Sequence, residues 1–102
     1  MARPAVIYKQ TPIITIIYTL TNPVDGLIFY VGATTRPLNR RLSQHISDCK
    51  NVIFHRLKKA GIRPIIEELE RCEGYLAPMY TERYWIQQMK TWGFKLINQN
   101  LT

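Results

Sequence analysis

The sequence predicts an α+β domain in which helices cover a small sheet, with elements in the order β-β-α-α-β-α. Three observations carry this. Ile13 to Thr21 is a dense β-branched run, the composition that fits a pleated, half-buried surface. Asn22-Pro23-Val24-Asp25-Gly26 follows with turn chemistry, proline fixing φ and glycine admitting positive φ, before a second apolar run from Leu27 to Ala33. Beyond these, apolar residues recur at helical spacing between capping and breaking residues.

The elements follow in order. Residues 1 to about 12 are a lead-in ending at Thr11-Pro12. Ile13–Thr21 and Leu27–Ala33 form a hairpin. With Asn22–Gly26 as its turn, the ladder pairs Thr21 with Leu27, Leu20 with Ile28, Thr19 with Phe29 and Tyr18 with Tyr30, so two phenols become direct neighbours on one face. A one-residue slip would send Tyr18 to the other face. Pro37 suits a first helical position, and a helix runs from it to about Asp48 on the stripe Leu38, Leu42, Ile46. Asn51 caps a second helix through Val52, Phe54, Leu57 and Lys58, stopped at Gly61. Pro64 to Leu69 reads as a third strand, with its alternation weakened by Glu67 and Glu68. Gly74 breaks the chain, a third helix starts near Pro78 and ends at Trp92-Gly93, and Phe94 to Thr102 is irregular or a short strand.

The chain has 102 residues, the size of one domain, expected to span the whole length with a core from about 13 to 98. No apolar run approaches the length of a membrane helix. The start, Met-Ala-Arg-Pro-Ala-Val, lacks a secretory pattern, which makes the cytoplasm the expected compartment. Fourteen Lys and Arg against seven acids give a net charge of +7. This excess favours a polyanionic partner, nucleic acid before others, with clusters at Arg36-Arg40-Arg41 and Arg56-Lys58-Lys59-Arg63. Cys49 and Cys72 have no paired spacing and read as free thiols. With His45 and His55 they match no standard zinc module.

Arg41 and His45 sit one helical turn apart at the edge of the buried stripe, able to reach toward the hairpin. Glu82 is the sharper anomaly, because Met79, Trp85, Ile86 and Met89 surround it on a helical wheel. A charge there demands a partner. A structural salt bridge to Arg41 would supply one, and so would a divalent cation with oxygen ligands. Tyr18, Tyr30, Arg41 and Glu82 together suit phosphodiester hydrolysis. A phenol of lowered pKa or a histidine can deprotonate water, a fixed cation can stabilise the phosphorane oxygens, and a metal can take the leaving oxygen.

These residues resemble the GIY-YIG nuclease superfamily, which includes phage homing endonucleases and the incision domain of bacterial excision repair. Ile16-Ile17-Tyr18 stands at the first signature and Tyr30-Val31-Gly32 at the second. The helix Arg36-Pro37-Leu38-Asn39-Arg40-Arg41-Leu42-Ser43-Gln44-His45 resembles the arginine-bearing helix, with Arg41 at the catalytic arginine and His45 at a position often held by histidine. Glu82 matches the metal-binding glutamate, and Asn98 a late asparagine that buttresses the site. The resemblance implies a three-stranded antiparallel sheet flanked by helices, cleavage of DNA, and one divalent metal on Glu82, Mg²⁺ with Mn²⁺ as the alternative. It implies catalytic roles for Tyr18, Tyr30, Arg41, His45 and Glu82, with one tyrosine as base or relay and the other orienting water or phosphate. Gly32, Arg36, Arg40 and Asn98 are expected on the substrate side, Gly32 because a bare backbone admits close approach.

Ile16 departs from the pattern, since it replaces the first signature's glycine and its alternation places it on the Tyr18 face, where it would crowd substrate access. Two rival readings remain. One is a catalytically inert nucleic-acid-binding module on the same scaffold. The other is a structural or protein-interaction domain held by a buried Glu82–Arg41 salt bridge. Many members of the family carry a separate DNA-binding domain, so the chain is expected to be a piece of a longer protein, to act alone with low specificity, or to be brought to DNA by an oligomer or a partner.

Overall fold

The computed structural model describes residues 13–48, 51–74 and 76–98. The predicted lead-in, Cys49 and the last four residues lie outside them. Strands β1 (Ile14–Asn22), β2 (Leu27–Thr34) and β3 (Ile65–Glu73) and helices α1 (Leu38–Ser47), α2 (Val52–Lys59) and α3 (Leu76–Thr91) follow in the order β-β-α-α-β-α. The sheet is antiparallel with strand order β2-β1-β3, so β1 is central. The predicted fold class holds.

The core has two sides because β1 is apolar on both faces. Tyr18 and Leu20 pack with Phe29 under Leu42 of α1 and with Phe54 and Leu57 of α2. Ile17 and Val31 pack with Cys72 under Ile86 and Met89 of α3. Ile17, Leu20 and Val31 are fully buried, each contributing about 1.5–3 kcal/mol relative to exposure.

The hairpin register differs from the expected one in two places. β1 runs one residue further, pairing Asn22 with Leu27. Local bonds fix this end: Asn22 Oδ1 accepts from the Val24 N–H at 2.9 Å, the Asn22 carbonyl accepts from the Gly26 N–H at 2.8 Å, and Gly26 has φ +72°. That shift alone would have put Tyr18 and Tyr30 on opposite faces. A bulge then inserts Phe29 between the pairs Thr21–Ile28 and Leu20–Tyr30, and an extra residue restores the phase. Tyr18 therefore pairs with Gly32, not Tyr30, while both phenols still share one face.

Three boundaries move as well. Pro37 is the residue before α1 (φ −56°, ψ 145°) instead of its first residue, and its carbonyl accepts from the N–H groups of Arg40 and Arg41. β3 continues past Leu69 to Glu73, with a second bulge opposite Ile17 and Tyr18. Its charged run Glu67, Glu68, Glu70, Arg71, Glu73 concealed how far the predicted strand extends, because these side chains are exposed on an edge strand. α3 begins two residues before Pro78, which is tolerated in a first turn where N–H groups lack intrahelical partners. α2 forms as expected. Asn51 Oδ1 accepts from the Ile53 and Phe54 N–H groups, and beyond Lys59 the Ile62 N–H reaches the Leu57 carbonyl across Gly61 (φ +73°), the αL helix ending.

Candidate active site

The site is built on the face of β1 and β2 covered by α1 and α2. Tyr18 is 0% exposed and its hydroxyl is held twice. Tyr18 Oη lies 2.6 Å from His45 Nε2, and Arg41 Nε–H donates to Tyr18 Oη at 3.1 Å. Arg41 and His45 come from one face of α1, as their spacing predicts. Arg41 Nη1–H donates to Gln44 Oε1 at 3.1 Å, so two acceptors fix the guanidinium. Sequence reasoning missed Gln44, although its position three residues after Arg41 is a neighbouring one on a helix.

His45 is buried and stacked on Phe54, with ring centroids 4.8 Å apart and planes at 22°, while Tyr30 meets it edge-on at 5.0 Å. Sequence reasoning had Phe54 only as a core residue of α2. Burial lowers the His45 pKa to about 4, the Arg41 charge acts in the same direction, and Asp48 opposes them. His45 is therefore neutral near pH 7. Burial raises the Tyr18 phenol most, Tyr30 adds to it, and Arg41 pulls it down. Burial also raises Tyr30, with Arg41 opposing and Glu82 adding. A phenol of lowered pKa, one of the two candidate bases in the sequence, is not what this environment makes. The histidine is neutral, though burial and the Arg41 charge make it a weaker base than a solvated imidazole.

The two tyrosine rings lie 6.2 Å apart and tilted. Tyr18 is sealed, whereas Tyr30 is half-buried. Gly32 makes room for Tyr18 itself: a Cβ at Gly32 would stand 2.5 Å from Tyr18 Oη, 2.6 Å from Tyr18 Cζ and 2.8 Å from Tyr30 Cε2.

Glu82 is half-buried on α3, above Ile86 and Met89, while Met79 is largely exposed and does not complete the apolar ring. Burial raises the Glu82 pKa and Arg41 opposes this, so the carboxylate feels the guanidinium without touching it. Among the described residues Glu82 and Arg41 form no ion pair, since Arg41 bonds Tyr18 and Gln44 instead. The salt bridge required by the structural reading is not made there.

Asn98 Oδ1 accepts from the Val31 N–H at 2.9 Å and Asn98 Nδ2–H donates to the Val31 carbonyl at 2.6 Å. Its carboxamide thus acts as a short extra strand on the outer edge of β2, one residue from Gly32. Arg36 and Arg40 are exposed beside Arg41. Ile16 is half-buried, opposite Thr34. Cys72 and His45 lie on opposite sides of the sheet, and the described residues hold no group of three or more His, Cys, Asp or Glu side chains suited to a metal ion. A separate cavity of about 610 Å³ sits near the hairpin turn, walled by Phe29, Trp92 and Phe94 among others, and none of the site residues lines it.

Charge is uneven. α1, α2 and their flanks expose Arg36, Arg40, Arg56, Lys58, Lys59 and Arg63. β3 carries Glu67, Glu68, Glu70 and Glu73 with one cation, Arg71, and α3 exposes Arg83 and Lys90.

Among known families, the GIY-YIG catalytic domain matches residues 14–96. No curated protein and no solved structure matches the chain.

Proposed function

Because this chain belongs to the GIY-YIG catalytic-domain family, a family of nucleases, we propose that it is a metal-dependent endonuclease hydrolysing phosphodiester bonds in DNA. The observation that carries the reading is the held guanidinium of Arg41, bonded to Tyr18 and Gln44, with a half-buried, unpaired carboxylate and a neutral histidine around it.

Each group has a role. Arg41 uses N–H donors on Tyr18 and Gln44 and interacts with the Tyr30 hydroxyl, leaving its remaining donors for phosphate oxygens as charge develops. Tyr30, the less buried phenol, orients the attacking water. Tyr18 acts from behind by fixing Arg41. A proton leaving the water has an acceptor within reach through the Tyr30 hydroxyl and then that of Tyr18, which meets His45 Nε2 at 2.6 Å. Asn98 and Gly32 keep β2 in place under the phenols.

Glu82 suits one divalent ion. Mg²⁺ takes one or two carboxylates and completes its shell with water and substrate phosphate, and Glu82 is a lone, unpaired carboxylate among the described residues. When bound, such an ion would stabilise the leaving oxygen as a Lewis acid.

The basic surface of α1 and α2 supports DNA as the substrate, recognised through its phosphates. The domain is proposed to act as one unit spanning the chain. A reducing compartment, the cytoplasm, suits the buried free thiol of Cys72. Among the described residues no helix is long and apolar enough to cross a membrane. The test is incubation with supercoiled plasmid with and without Mg²⁺ or Mn²⁺. Metal-dependent conversion to nicked circles supports the reading, while salt-dependent binding without nicking would favour the inert binding module.

A further inference from the structure

We propose that a shallow cup beside Arg41 holds the DNA phosphate adjacent to the one being cleaved, with Arg36 as its cation. This rests on the nuclease reading above and adds a positioning site to it.

The cup lies where β2 passes into α1 and encloses about 300 Å³, lined by Ala33, Thr34, Thr35, Arg36, Arg41 and Gln44. Five of these six residues are polar or cationic, and none is acidic. A concavity with two guanidinium groups and no carboxylate selects an anion. It has no aromatic wall on which a base could stack. The ligand chemistry it fits is therefore a backbone phosphate.

The two arginines are prepared differently. Arg41 is fixed through Tyr18 and Gln44 and faces both the catalytic group and the cup. The Arg36 side chain is exposed, and its guanidinium makes no hydrogen bond or ion pair among the described residues. Its backbone is anchored, because Thr34 Oγ1 accepts from the Arg36 main-chain N–H at 3.0 Å. Thr34 is buried and pairs with Ile16 across the hairpin. An unpaired cation on an anchored backbone, sharing its cup with the guanidinium that meets the scissile phosphate, places the next phosphate of the same strand between Arg36 and Arg41. Gln44 serves both sides, orienting Arg41 for cleavage while lining the cup.

The test uses a labelled duplex whose cut positions have been mapped, with a single neutral methylphosphonate one linkage to either side of a mapped cut. One of the two replacements is expected to lower wild-type cleavage at that cut roughly tenfold, the loss of one charge-assisted hydrogen bond. Arg36→Gln is expected to show the same loss on unmodified DNA, with no further loss from that methylphosphonate. In the Glu82→Gln background, adding Arg36→Gln should reduce the slope of log affinity against log salt by about 0.9, one phosphate contact. Its thermal midpoint should not change, since Arg36 is exposed. If the wild type cleaves but Arg36→Gln stays fully sensitive to both methylphosphonates with an unchanged salt slope, the cup is overturned and the nuclease reading stands. If the wild type cuts no DNA with either metal, both fall.

Discussion

Gly32 lies directly across the β1–β2 ladder from Tyr18, and the Tyr18 phenol occupies the space that a side chain at Gly32 would need. The second signature's glycine therefore serves the first signature's tyrosine. Gly32→Ala would press a methyl group against Tyr18 Oη and Cζ and against the Tyr30 ring. Overpacking of this kind costs about 1–3 kcal/mol, and here it would also pull Tyr18 from Arg41 and His45. Denaturant unfolding should show the loss, and DNA nicking should fall more steeply than stability. An alanine variant with wild-type stability and nicking would show that the phenol does not need this space.

The two tyrosines should separate by stability. Tyr18→Phe leaves Arg41 Nε–H and His45 Nε2 without their partner in a buried setting, a cost of about 1–3 kcal/mol. Tyr30 is half-buried, and its hydroxyl, which interacts with Tyr18 and Arg41, has no contact like the one between Tyr18 and His45, so Tyr30→Phe should cost less while still lowering cleavage. Urea midpoints alongside nicking rates check this. Equal destabilisation by the two variants would contradict the assignment of Tyr18 as the buried holder and Tyr30 as the group facing water.

Acid stability should report His45. Its folded pKa of about 4 lies below its ordinary 6.5, so on acidification the unfolded chain takes up the proton first. The contribution is complete above pH 6.5 and is lost as pH falls toward 4, at up to about 1.4 kcal/mol per pH unit. A His45→Gln variant has no such titration. Its stability relative to wild type should improve steadily between pH 7 and pH 4.5, and parallel curves would place His45 in a more solvated setting.

How far the sequence revealed this arrangement depended on whether the causes were local. Turn chemistry at Pro23 to Gly26, the Asn51 cap and the Gly61 stop act within a few residues, and the elements they bound appeared as expected. The Arg41–His45 spacing likewise placed both side chains on one face of α1. The ladder register was not legible because two shifts add, one additional residue of β1 at the turn and the bulge at Phe29, so that the facing of the phenols is kept while the partner of Tyr18 moves to Gly32. Neither leaves a signature in composition. Glu67 to Glu73 concealed the length of β3, since an edge strand tolerates charge on exposed positions. Phe54 looked like any core residue until α2 laid it over His45. Gln44 had a spacing signal, but its bond to Arg41 depends on Tyr18 holding the other side of the guanidinium.

Glu82 joins the fold to the proposed chemistry most directly. Its half-buried carboxylate has no ion pair among the described residues, and burial raises its pKa. An ionised group so placed stabilises the fold little or opposes it, and sites kept for function often carry such a cost. The deciding measurement compares wild type with Glu82→Gln for metal-dependent plasmid nicking and for denaturant stability in the same buffers. Loss of nicking with stability unchanged or slightly raised is the expected result. Nicking that persists in Glu82→Gln, or a loss of several kcal/mol in stability, would contradict it and return Glu82 to a structural role.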